Sequence, residues 1–317
     1  MPSKTIAVVN ASGRQAASLI RVASAVGYKV RAQLHSLKGL VAEEVASLPN
    51  VIVFEGSLED DNIIANVFKG AQLAFINTTS WGDEIAIGKR LADAAKKARV
   101  QHYIYSSMPD HSTINLNWPA LPLWSAKYTV ENYVRQLELP ATFVYAGIYN
   151  NNFTSLPYPL FCMELQRDGS FVWKAPFHPN IPLPWLDAEH DVGAAVIQIF
   201  KDGPGKWSGE RIALAFEILT PRQVCAAFSR ALYRPVRYIR GPIEIKVPIP
   251  EGYREQLDGI SVLFGPGVDA PYFGWDLEKM KCPQEALELW EGPRGMEEYA
   301  SEAFIIEEEA NGLGWMR

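Results

Sequence analysis

The residues from Asn10 to Ala16 form a turn whose types and spacing suit phosphate binding. The stretch resembles a degraded G-x-x-G-x-x-G motif between an apolar run and a helical pattern, with Asn10 and Ala16 replacing the outer glycines. Asparagine tolerates a left-handed backbone, and alanine still permits close packing of helix on strand. Gly13 lets the backbone approach phosphate at a helix start, where free N–H groups bind anions. The motif predicts a dinucleotide pyrophosphate site formed by Asn10, Ala11, Ser12, Gly13, Arg14 and Gln15.

The residues after the second predicted strand bear on which dinucleotide the chain binds. An acidic residue at this position binds the ribose 2′-hydroxyl of NAD and repels the additional phosphate of NADP. This chain has His35, Ser36 and Lys38 there, which suit a 2′-phosphate and do not exclude a hydroxyl. We therefore expect NAD and NADP to bind alike. The alternative interpretation is an ordinary polar strand end.

Two further groups would complete a cofactor site. Small polar residues end the fourth predicted strand, where they can line a ribose or simply form a turn: Asn77, Thr78, Thr79 and Ser80. Lys127 begins a predicted helix after a proline-rich loop. A lysine at this place can hydrogen-bond the nicotinamide ribose, or it can be an ordinary solvated lysine at a helix start.

The spacing around Lys127 resembles the Y-x-x-x-K pair of short-chain dehydrogenases, except that the tyrosine is missing. In those enzymes the tyrosine protonates the nascent alkoxide. Leu123 stands four residues before Lys127 and has no proton to donate. Tyr128 is adjacent, but one residue along a helix turns a side chain by about 100° onto another face. A dinucleotide fold without this acid indicates a sensor rather than an enzyme.

Composition excludes several classes of protein. The chain has 317 residues and a formal net charge of −6, which argues against direct nucleic-acid binding because phosphate contacts need a basic face. Cys162, Cys225 and Cys282 lack metal-ligand spacing, and their odd number indicates reduced thiols. No apolar run reaches membrane-spanning length, and no secretory leader precedes the first strand. We expect a soluble intracellular protein without metal.

The first half of the chain alternates between strands and helices, which predicts an α/β fold with a Rossmann-type, doubly wound parallel sheet. The predicted strands are Thr5–Val9, Lys29–Leu34, Val51–Glu55, Leu73–Asn77, Tyr103–Ser106 and Thr142–Tyr145. The predicted helices lie near Gln15–Ala25, Gly39–Ser47, Asp61–Phe68, Asp83–Ala98 and Ala126–Leu137. Ligands of such sheets bind beyond the carboxyl ends of the strands. We assign residues 1–150 to a dinucleotide-binding domain.

The pattern changes after Tyr149, and we assign residues 151–317 to a smaller, mixed α/β lobe on the cleft side. One helix is predicted from around Asp187 to Phe200. Another is predicted from Thr220 to Leu232, because Thr220-Pro221-Arg222-Gln223 forms a capping box with proline at the first helical position. Residues 265–295 are rich in Gly and Pro and predict a long loop, followed by an acidic helix over 295–310.

These motifs together resemble the NmrA-like family of atypical short-chain dehydrogenases. The likeness runs from the first strand to the tail at Glu307–Leu313 and weakens only near residues 265–295. It includes the long run Ile104–His111 and the helix at Asp191–Ala195. Ser12 replaces a threonine and Leu123 replaces another apolar residue, which leaves the assignment intact. The resemblance implies that the cofactor also contacts Tyr145, Ala146, Gly147, Ile148 and Tyr149.

The resemblance further implies a non-catalytic, negative regulator of transcription in nitrogen metabolite repression that prefers oxidised NAD and NADP. Its partner would be a GATA-type activator, bound through its zinc finger and C-terminal region, and its location the nucleus and cytoplasm. A basic finger needs an acidic face, which we place at Asp187, Glu189 and Asp191, with Gln198 and Phe200 further along the same helix. The alternative is that the carboxylates cap a helix and Phe200 is core.

Two other functions remain open at this point. The first is an NADPH-dependent reductase of the isoflavone-reductase type, with Lys127 as general acid or base, since such enzymes also lack the tyrosine. A lysine can take this role if desolvation lowers its pKa. The second is a scaffold with a vestigial pocket, which would bind no dinucleotide.

Overall fold

The computed structural model describes residues 4–80 and 82–315. The first three residues, where we expected no secretory leader, lie outside this range. The strands are β1 Thr5–Val8, β2 Lys29–Leu34, β3 Val51–Glu55, β4 Leu73–Ile76, β5 His102–Ser107, β6 Ala141–Ala146, β7 Ile148–Tyr149, β8 Met163–Leu165, β9 Phe171–Ala175, β10 Leu183–Leu186, β11 Arg211–Leu214, β12 Glu217–Leu219 and β13 Val236–Arg240.

The helices account for most of the remaining chain. They are α1 Arg14–Ala25, α2 Leu40–Ser47, α3 Asp61–Phe68, α4 Glu84–Lys97, α5 His111–Ile114, α6 Pro122–Gln136, α7 Val192–Asp202, α8 Pro204–Trp207, α9 Pro221–Leu232, α10 Glu251–Leu263, α11 Gln284–Leu289, α12 Met296–Ser301 and α13 Ala303–Ala310. A short 3₁₀ turn covers Asn150–Asn152.

A seven-stranded parallel sheet forms the centre of the molecule, in the order β11-β6-β5-β4-β1-β2-β3. Helices cover both faces, so β4, β5 and β6 are buried along their whole length. One face packs against α1 and α7, and the other packs against α3, α4 and α6. The predicted doubly wound Rossmann-type fold is confirmed. Strand order reverses between β1 and β4, where such sheets bind ligands.

The sheet does not end with the first half of the chain. Strand β11 pairs with β6 in parallel, and α7 packs on α1. The helices approach so closely that a Cβ on Gly193 would lie 2.3 Å from the carbonyl oxygen of Ser18. Gly193 is therefore required by this crossing. The parallel sheet therefore includes a strand beyond residue 150, where we place the end of the dinucleotide-binding domain.

The smaller lobe contains two three-stranded sheets, in the orders β12-β10-β7 and β13-β9-β8, with α9, α10, α12 and α13. Its core is aromatic. The ring of Phe153 lies within 5.6 Å, centroid to centroid, of those of Trp173, Trp185 and Phe228. The predicted mixed α/β lobe is present, and the predicted capping box begins α9, where the Thr220 hydroxyl accepts from the N–H of Gln223.

Two sequence predictions need correction. The helix expected to begin near Asp187 begins at Val192, because the Asp187 carboxylate accepts hydrogen bonds from the N–H groups of Glu189 and His190 and closes a separate turn. The stretch 265–295, expected to be a long loop, contains the six-residue helix α11. It also buries Phe273 and Cys282 against the sheet, so it contributes to the core.

Candidate functional site

The predicted pyrophosphate turn connects β1 to α1. Asn10 adopts a left-handed backbone with φ of 51°, as expected of the residue that replaces the first glycine. Its side chain donates to the carbonyl of Asn77 at 2.8 Å, and its N–H donates to Oε1 of Gln33 at 2.9 Å. The N–H of Gly13 closes the turn on the carbonyl of Asn10 at 2.9 Å. The turn is thus held by the strands on either side of β1.

The start of α1 supplies an anion-binding site. Gly13 is the N-cap residue, and none of the described side chains caps the helix. The first helical hydrogen bond runs from the N–H of Ala17 to the carbonyl of Gly13, which leaves the preceding N–H groups free within the helix. A Cβ added at Gly13 would meet only the Asn10 carbonyl, at 3.2 Å. The glycine therefore keeps open space for a ligand rather than for the protein.

A cavity of about 310 Å³ extends from this turn along the ends of β2 and β4, where an adenosine would lie. It is lined by Asn10, Gln33, His35, Ser57, Leu58, Glu59, Thr79, Gly82 and Ile87. His35 and Lys38 are exposed and Ser36 is half-buried, while Ser80 lies exposed beyond β4. Sequence reasoning missed Glu55, whose carboxylate accepts from the N–H of Leu37 at 2.9 Å and so holds the loop after β2.

Lys127 lies on the first turns of α6 and is held by an ion pair that the sequence did not reveal. Its Nζ lies 2.9 Å from Oε1 of Glu84 on α4, and the two side chains are 16% and 6% exposed. Nζ also donates to the Thr78 carbonyl at 2.5 Å and lies 3.4 Å from Oδ1 of Asn77. The Thr78 hydroxyl donates to Glu84 at 2.7 Å. Two donors of the ammonium are therefore engaged within the protein, by Thr78 and Glu84, whereas the contact to Asn77 is long for a hydrogen bond.

Leu123 lies on the first turn of α6, four residues before Lys127. It lines a second cavity, and its N–H donates to Oε1 of Gln256 on α10 at 3.0 Å. Tyr128 faces elsewhere, as the helical geometry predicts: the Arg211 guanidinium carbon lies 5.6 Å from its ring centroid. Neither residue places an acidic hydroxyl beside Lys127.

The second cavity has a volume of about 270 Å³ and lies between the sheet and the smaller lobe. Gln15, Asn77, Lys127, Ala146, Gly147, Ile148 and Tyr149 line its sheet side. The Gln15 amide donates to the Tyr149 hydroxyl. The opposite wall is aromatic and comes from segments that the sequence did not connect with the site. Its rings include Trp124, Phe177, Phe264 and Tyr272.

Tyr145 does not belong to this cavity, contrary to our expectation. Its side chain is fully buried on the other side of β6, and its hydroxyl donates to Oε2 of Glu131 at 2.9 Å. Burial raises the pKa of this phenol well above its usual value. Alternation along a strand explains the result, because Tyr145 and Ala146 point to opposite faces of the sheet.

The acidic face predicted for a partner is largely buried. Asp187 and Asp191 are both 0% exposed. Asp187 pairs with Arg294 at 3.3 Å, and Asp191 accepts from Nε1 of Trp290 at 3.2 Å and from the N–H of Arg294 at 3.1 Å. Burial raises the pKa of the Asp191 carboxyl. These two carboxylates are structural, because they supply acceptors to otherwise unpaired donors.

The other three predicted partner residues differ in exposure. Phe200 is 3% exposed and packs in the core, its ring centroid 5.7 Å from that of His102. Gln198 is half-buried and donates to Asp202 at 2.7 Å. Glu189 keeps a side chain that is 38% exposed. The predicted surface therefore reduces to Glu189, with Gln198 on the helix that follows.

Arg14 connects the pyrophosphate turn to this region. Its guanidinium hydrogen-bonds Glu189 and lies 3.6 Å from Oε1 of Glu307 on α13. Burial raises the pKa of Glu307, which Arg14 opposes. Neither pairing could be predicted from the sequence, because Arg14, Glu189 and Glu307 lie far apart in the chain.

Comparison with known proteins identifies the family of the chain. The NmrA-like family profile matches residues 2–300. The chain belongs to the NmrA-like family. It is 63% identical to the nitrogen metabolite repression protein nmrA of Emericella nidulans, over 99% of this chain and 98% of that one. It is 60% identical to the nitrogen metabolite repression protein nmr of Neurospora crassa, over 99% of this chain and 71% of the relative.

Solved structures agree with this assignment. A crystal structure of NmrA, a negative transcriptional regulator, in complex with NAD matches with a TM-score of 0.96 and 65% identity, over 100% of both chains. A complex of NmrA with NADP matches with a TM-score of 0.95 and 65% identity, also over 100% of both chains.

Two other observations concern membrane proteins and metal-binding proteins, two classes that the sequence argued against. Among residues 4–80 and 82–315, no helix is long and apolar enough to cross a membrane. Within the same ranges, no group of histidine, cysteine and carboxylate side chains is arranged to hold a metal ion.

Proposed function

We propose that this protein is a non-catalytic, NAD(P)-binding negative regulator of transcription in nitrogen metabolite repression. The start of α1 is open, and the two cavities are lined by residues on either side of it, among them Asn10 in one and Gln15 in the other, as binding of a dinucleotide requires. Relatives named for nitrogen metabolite repression, and NmrA complexes with NAD and NADP, support this assignment.

The main evidence against catalysis is the ion pair between Lys127 and Glu84, in a cavity that Leu123 also lines. A lysine can orient a nicotinamide ribose without the tyrosine, but hydride transfer to a carbonyl also needs a proton donor. The reductase alternative would assign this role to Lys127. A lysine acts readily as acid or base when it is desolvated without a counter-charge. Here Glu84 supplies the counter-charge at 2.9 Å, which favours the regulator.

A preference for oxidised dinucleotides is part of this proposal. The oxidised nicotinamide ring carries a positive charge, and the reduced ring is neutral. Lys127 is the only cation among the described residues lining the 270 Å³ cavity, and Glu84 compensates its charge. The net charge of −6 also favours the positively charged, oxidised ring.

The cysteines support a response to the dinucleotide rather than to thiol oxidation. Burial raises the pKa of the Cys225 and Cys282 thiols to about 12 and that of Cys162 to about 11. Thiols react as thiolates, so these groups are poorly reactive at neutral pH.

The partner in this proposal is a GATA-type activator, contacted through its basic zinc finger and C-terminal region, in the nucleus and cytoplasm. Glu189 is the partly exposed carboxylate that remains from the predicted acidic face. An acidic residue on the rim of an interface steers a basic partner and sets the salt dependence of binding.

Calorimetric titration with NAD, NADP, NADH and NADPH tests the cofactor part of the proposal. We expect both oxidised forms to bind more tightly than both reduced forms. A parallel assay follows oxidation of NADPH in the presence of small carbonyl compounds, for the unmodified protein and for Leu123→Tyr. We expect no turnover from either, because no substrate has been positioned against the new hydroxyl. Steady turnover by the unmodified protein would establish the reductase instead.

A further inference from the structure

The edge of the parallel sheet at which its strands begin carries a row of exposed cations, opposite the edge that holds the pyrophosphate turn. Lys29 begins β2, and its N–H donates to the carbonyl of Lys4, just before β1, at 3.1 Å. Lys69 and Arg99 lie in the turns that lead into β4 and β5, and Lys97 ends α4. The four strands are neighbours in the sheet, and adjacent strands lie roughly 5 Å apart. The five residues therefore form one surface, which we term the basic edge.

The basic edge is not neutralised by the protein itself. Its five side chains are exposed, and none of them forms an ion pair with a residue that the structure describes. Glu138 and Glu210 also lie on this edge of the sheet, but they precede β6 and β11, to one side. The two lysines at helix ends offset the negative ends of α3 and α4, whereas Lys4 and Lys29 lie outside the helices. In a chain of net charge −6, this local positive charge indicates an acidic partner.

A groove of about 670 Å³ between α3 and α4 opens onto the basic edge. Its floor is apolar and includes Ala65 of α3 and Ala94 of α4, and Lys69 and Lys97 line its end. The groove is larger than either cavity of the cofactor site. Small side chains on both of its helices allow a third helix to approach, because packed helices lie roughly 8–10 Å apart. The groove therefore has the shape that binds an amphipathic helix through its apolar face.

The charged residues around the groove differ in whether they are paired. Asp61 is paired with Arg90 at 2.5 Å, and the Tyr133 hydroxyl donates to Asp93 at 2.8 Å. The two lysines of the groove have no ion-pair partner in the described part of the chain. The uncompensated charge of the groove is therefore positive, and it lies at the end that meets the basic edge.

We propose that the groove between α3 and α4, together with the basic edge, binds an acidic amphipathic helix of a partner protein. The apolar face of that helix covers Ala65 and Ala94, and its carboxylates pair with Lys69 and Lys97. The inference goes beyond the proposed function, because neither the dinucleotide site nor Glu189 takes part in it. It gives the protein a second contact surface on the side of the sheet away from its cofactor.

Nucleic acid fits this surface less well than an acidic helix does. Single-stranded nucleic acid needs rings on which its bases stack, and the ring of Phe68 in the groove lining is only 2% exposed. Four of the five cations of the basic edge are lysines, which lack the planar fork with which arginine binds phosphate. Binding of duplex DNA is a competing outcome of the test below.

A synthetic peptide tests the inference on the full chain. A fluorescein-labelled peptide of about 14 residues, with leucines three and four positions apart and glutamates elsewhere, has an apolar and an acidic face when helical. We expect saturable binding in fluorescence anisotropy, with a dissociation constant below about 100 μM. A scrambled peptide of the same composition has no apolar face and should bind at least fivefold more weakly.

Two double variants test the charges. Lys69→Glu with Lys97→Glu should weaken binding of the acidic peptide at least tenfold, because both cations of the groove become repulsive. Arg222→Glu with Arg237→Glu changes the net charge equally at exposed positions of the smaller lobe, on α9 and β13, and should weaken binding less than twofold.

Two single variants test the groove. Ala65 lines the groove and is exposed, so Ala65→Trp should fill the space and weaken the peptide at least tenfold. Ala226 is an exposed alanine on α9, and Ala226→Trp should leave binding unchanged. Calorimetry with NAD on the same variants should show unchanged affinity, which separates failure of this inference from failure of the proposed function.

Four results would overturn the inference. They are the absence of saturable peptide binding, equal weakening by the groove variants and their controls, equal binding of the scrambled peptide, and tighter binding of duplex DNA that the two lysine substitutions abolish. The third would reduce the surface to charge alone, and the fourth would assign it to nucleic acid.

Discussion

Gly13 has a role at the scale of single residues that its backbone angles do not explain. Its φ of −72° is accessible to any residue, so the requirement for glycine comes from the space above it. That space contains only one protein atom within 4 Å of an added Cβ. A larger side chain therefore requires only a small shift at the Asn10 carbonyl, 3.2 Å from the added Cβ, whereas it is incompatible with a pyrophosphate against the helix start.

Gly13→Val should abolish NAD binding, with a loss of at least a hundredfold in affinity and a melting temperature within a few degrees of the unmodified protein. The valine side chain would occupy the position of the pyrophosphate. Gly205→Val is the control, because an added Cβ there meets nothing within 4 Å. Normal NAD binding by folded Gly13→Val, measured by calorimetry, would place the site elsewhere.

The loop after β2 should give similar affinities for NAD and NADP, within about 1.4 kcal/mol, or tenfold. His35 and Lys38 are exposed and can approach a phosphate, while Glu55 adds a negative charge beside the same loop. Lys38→Met should weaken NADP by a few-fold and leave NAD unchanged. Titrations that show a hundredfold preference for either dinucleotide would contradict this expectation.

At the scale of elements, the ion pair between α4 and α6 links the cofactor site to the packing of the sheet. The helices cross closely enough that a Cβ on Gly88 would lie 2.5 Å from a methyl carbon of Val130. Glu84 and Lys127 meet across the same crossing and are largely removed from water. Loss of one partner would leave the other charged group buried without compensation.

Lys127→Met should destabilise the protein by about 3–5 kcal/mol, the cost typical of breaking a buried pair. The double variant Lys127→Met, Glu84→Gln should recover most of this loss, because no buried charge remains. Arg230→Met is the control: the side chains of its pair with Glu297 are 60% and 50% exposed, so we expect a much smaller loss of stability than for Lys127→Met. Urea denaturation measures all three. Equal losses in the single and double variants would show that the pair contributes packing only.

At the scale of the whole molecule, the region expected to bind a partner combines structural and exposed carboxylates. Asp187 and Asp191 hold Arg294 and Trp290, so their removal acts on stability. Glu189 lies beside them and is partly exposed, paired with Arg14 of the pyrophosphate turn. Substitution of Glu189 should therefore change the surface charge, whereas substitution of Asp187 or Asp191 should change the stability of the fold.

Glu189→Ala should weaken the complex with a GATA-type zinc finger, and added salt should weaken the unmodified complex, because surface charges are screened over about 10 Å at 0.1 M. Glu255→Ala, an exposed carboxylate on α10, should change neither. Surface plasmon resonance at two salt concentrations measures both effects. Unchanged affinity and salt response for Glu189→Ala would end the assignment of this surface.

His102 should make the stability of the molecule depend on pH. It is fully buried, and burial lowers its pKa to about 4. The Thr142 hydroxyl donates to the Trp207 carbonyl, so Nε2 of His102 donates to Thr142, and Nδ1 has no hydrogen-bond partner in the part of the chain that the structure describes. The unfolded chain binds this proton more tightly, so the stabilisation present above pH 6.5 is lost as the pH falls towards 4.

Between pH 6.5 and 4, His102 contributes at most about 1.4 kcal/mol per pH unit to the slope of the unfolding free energy against pH. His102→Gln retains a donor for Thr142 and should reduce the slope of unfolding free energy against pH between 6.5 and 4. Chemical denaturation at several pH values measures it. An unchanged slope in the variant would mean that other groups control the acid response.

Sequence patterns predicted the parts of the molecule that depend on local order. The turn at Asn10–Ala16, the alternation of strands and helices, and the capping box at Thr220 each depend on residues close in the chain. The ion pair of Lys127 with Glu84, the pairing of Arg14 with Glu307 and the aromatic wall could not be predicted in this way. They join segments that only the folded chain brings together. Asp187 and Asp191 were misplaced because their types suit both a cap and a surface.

Strand β11 joins the parallel sheet although it lies far along the chain, and this has a consequence during synthesis on the ribosome. Strand β6 is covered at its edge only when β11 arrives, after residues 147–210 have been translated. At roughly 5–20 residues per second, this interval lasts on the order of 3–13 s. Throughout it, the nascent chain exposes an unpaired apolar edge of the kind that recruits other strands. We therefore expect efficient production of this protein to depend on chaperones that bind nascent chains, more than its final stability would indicate.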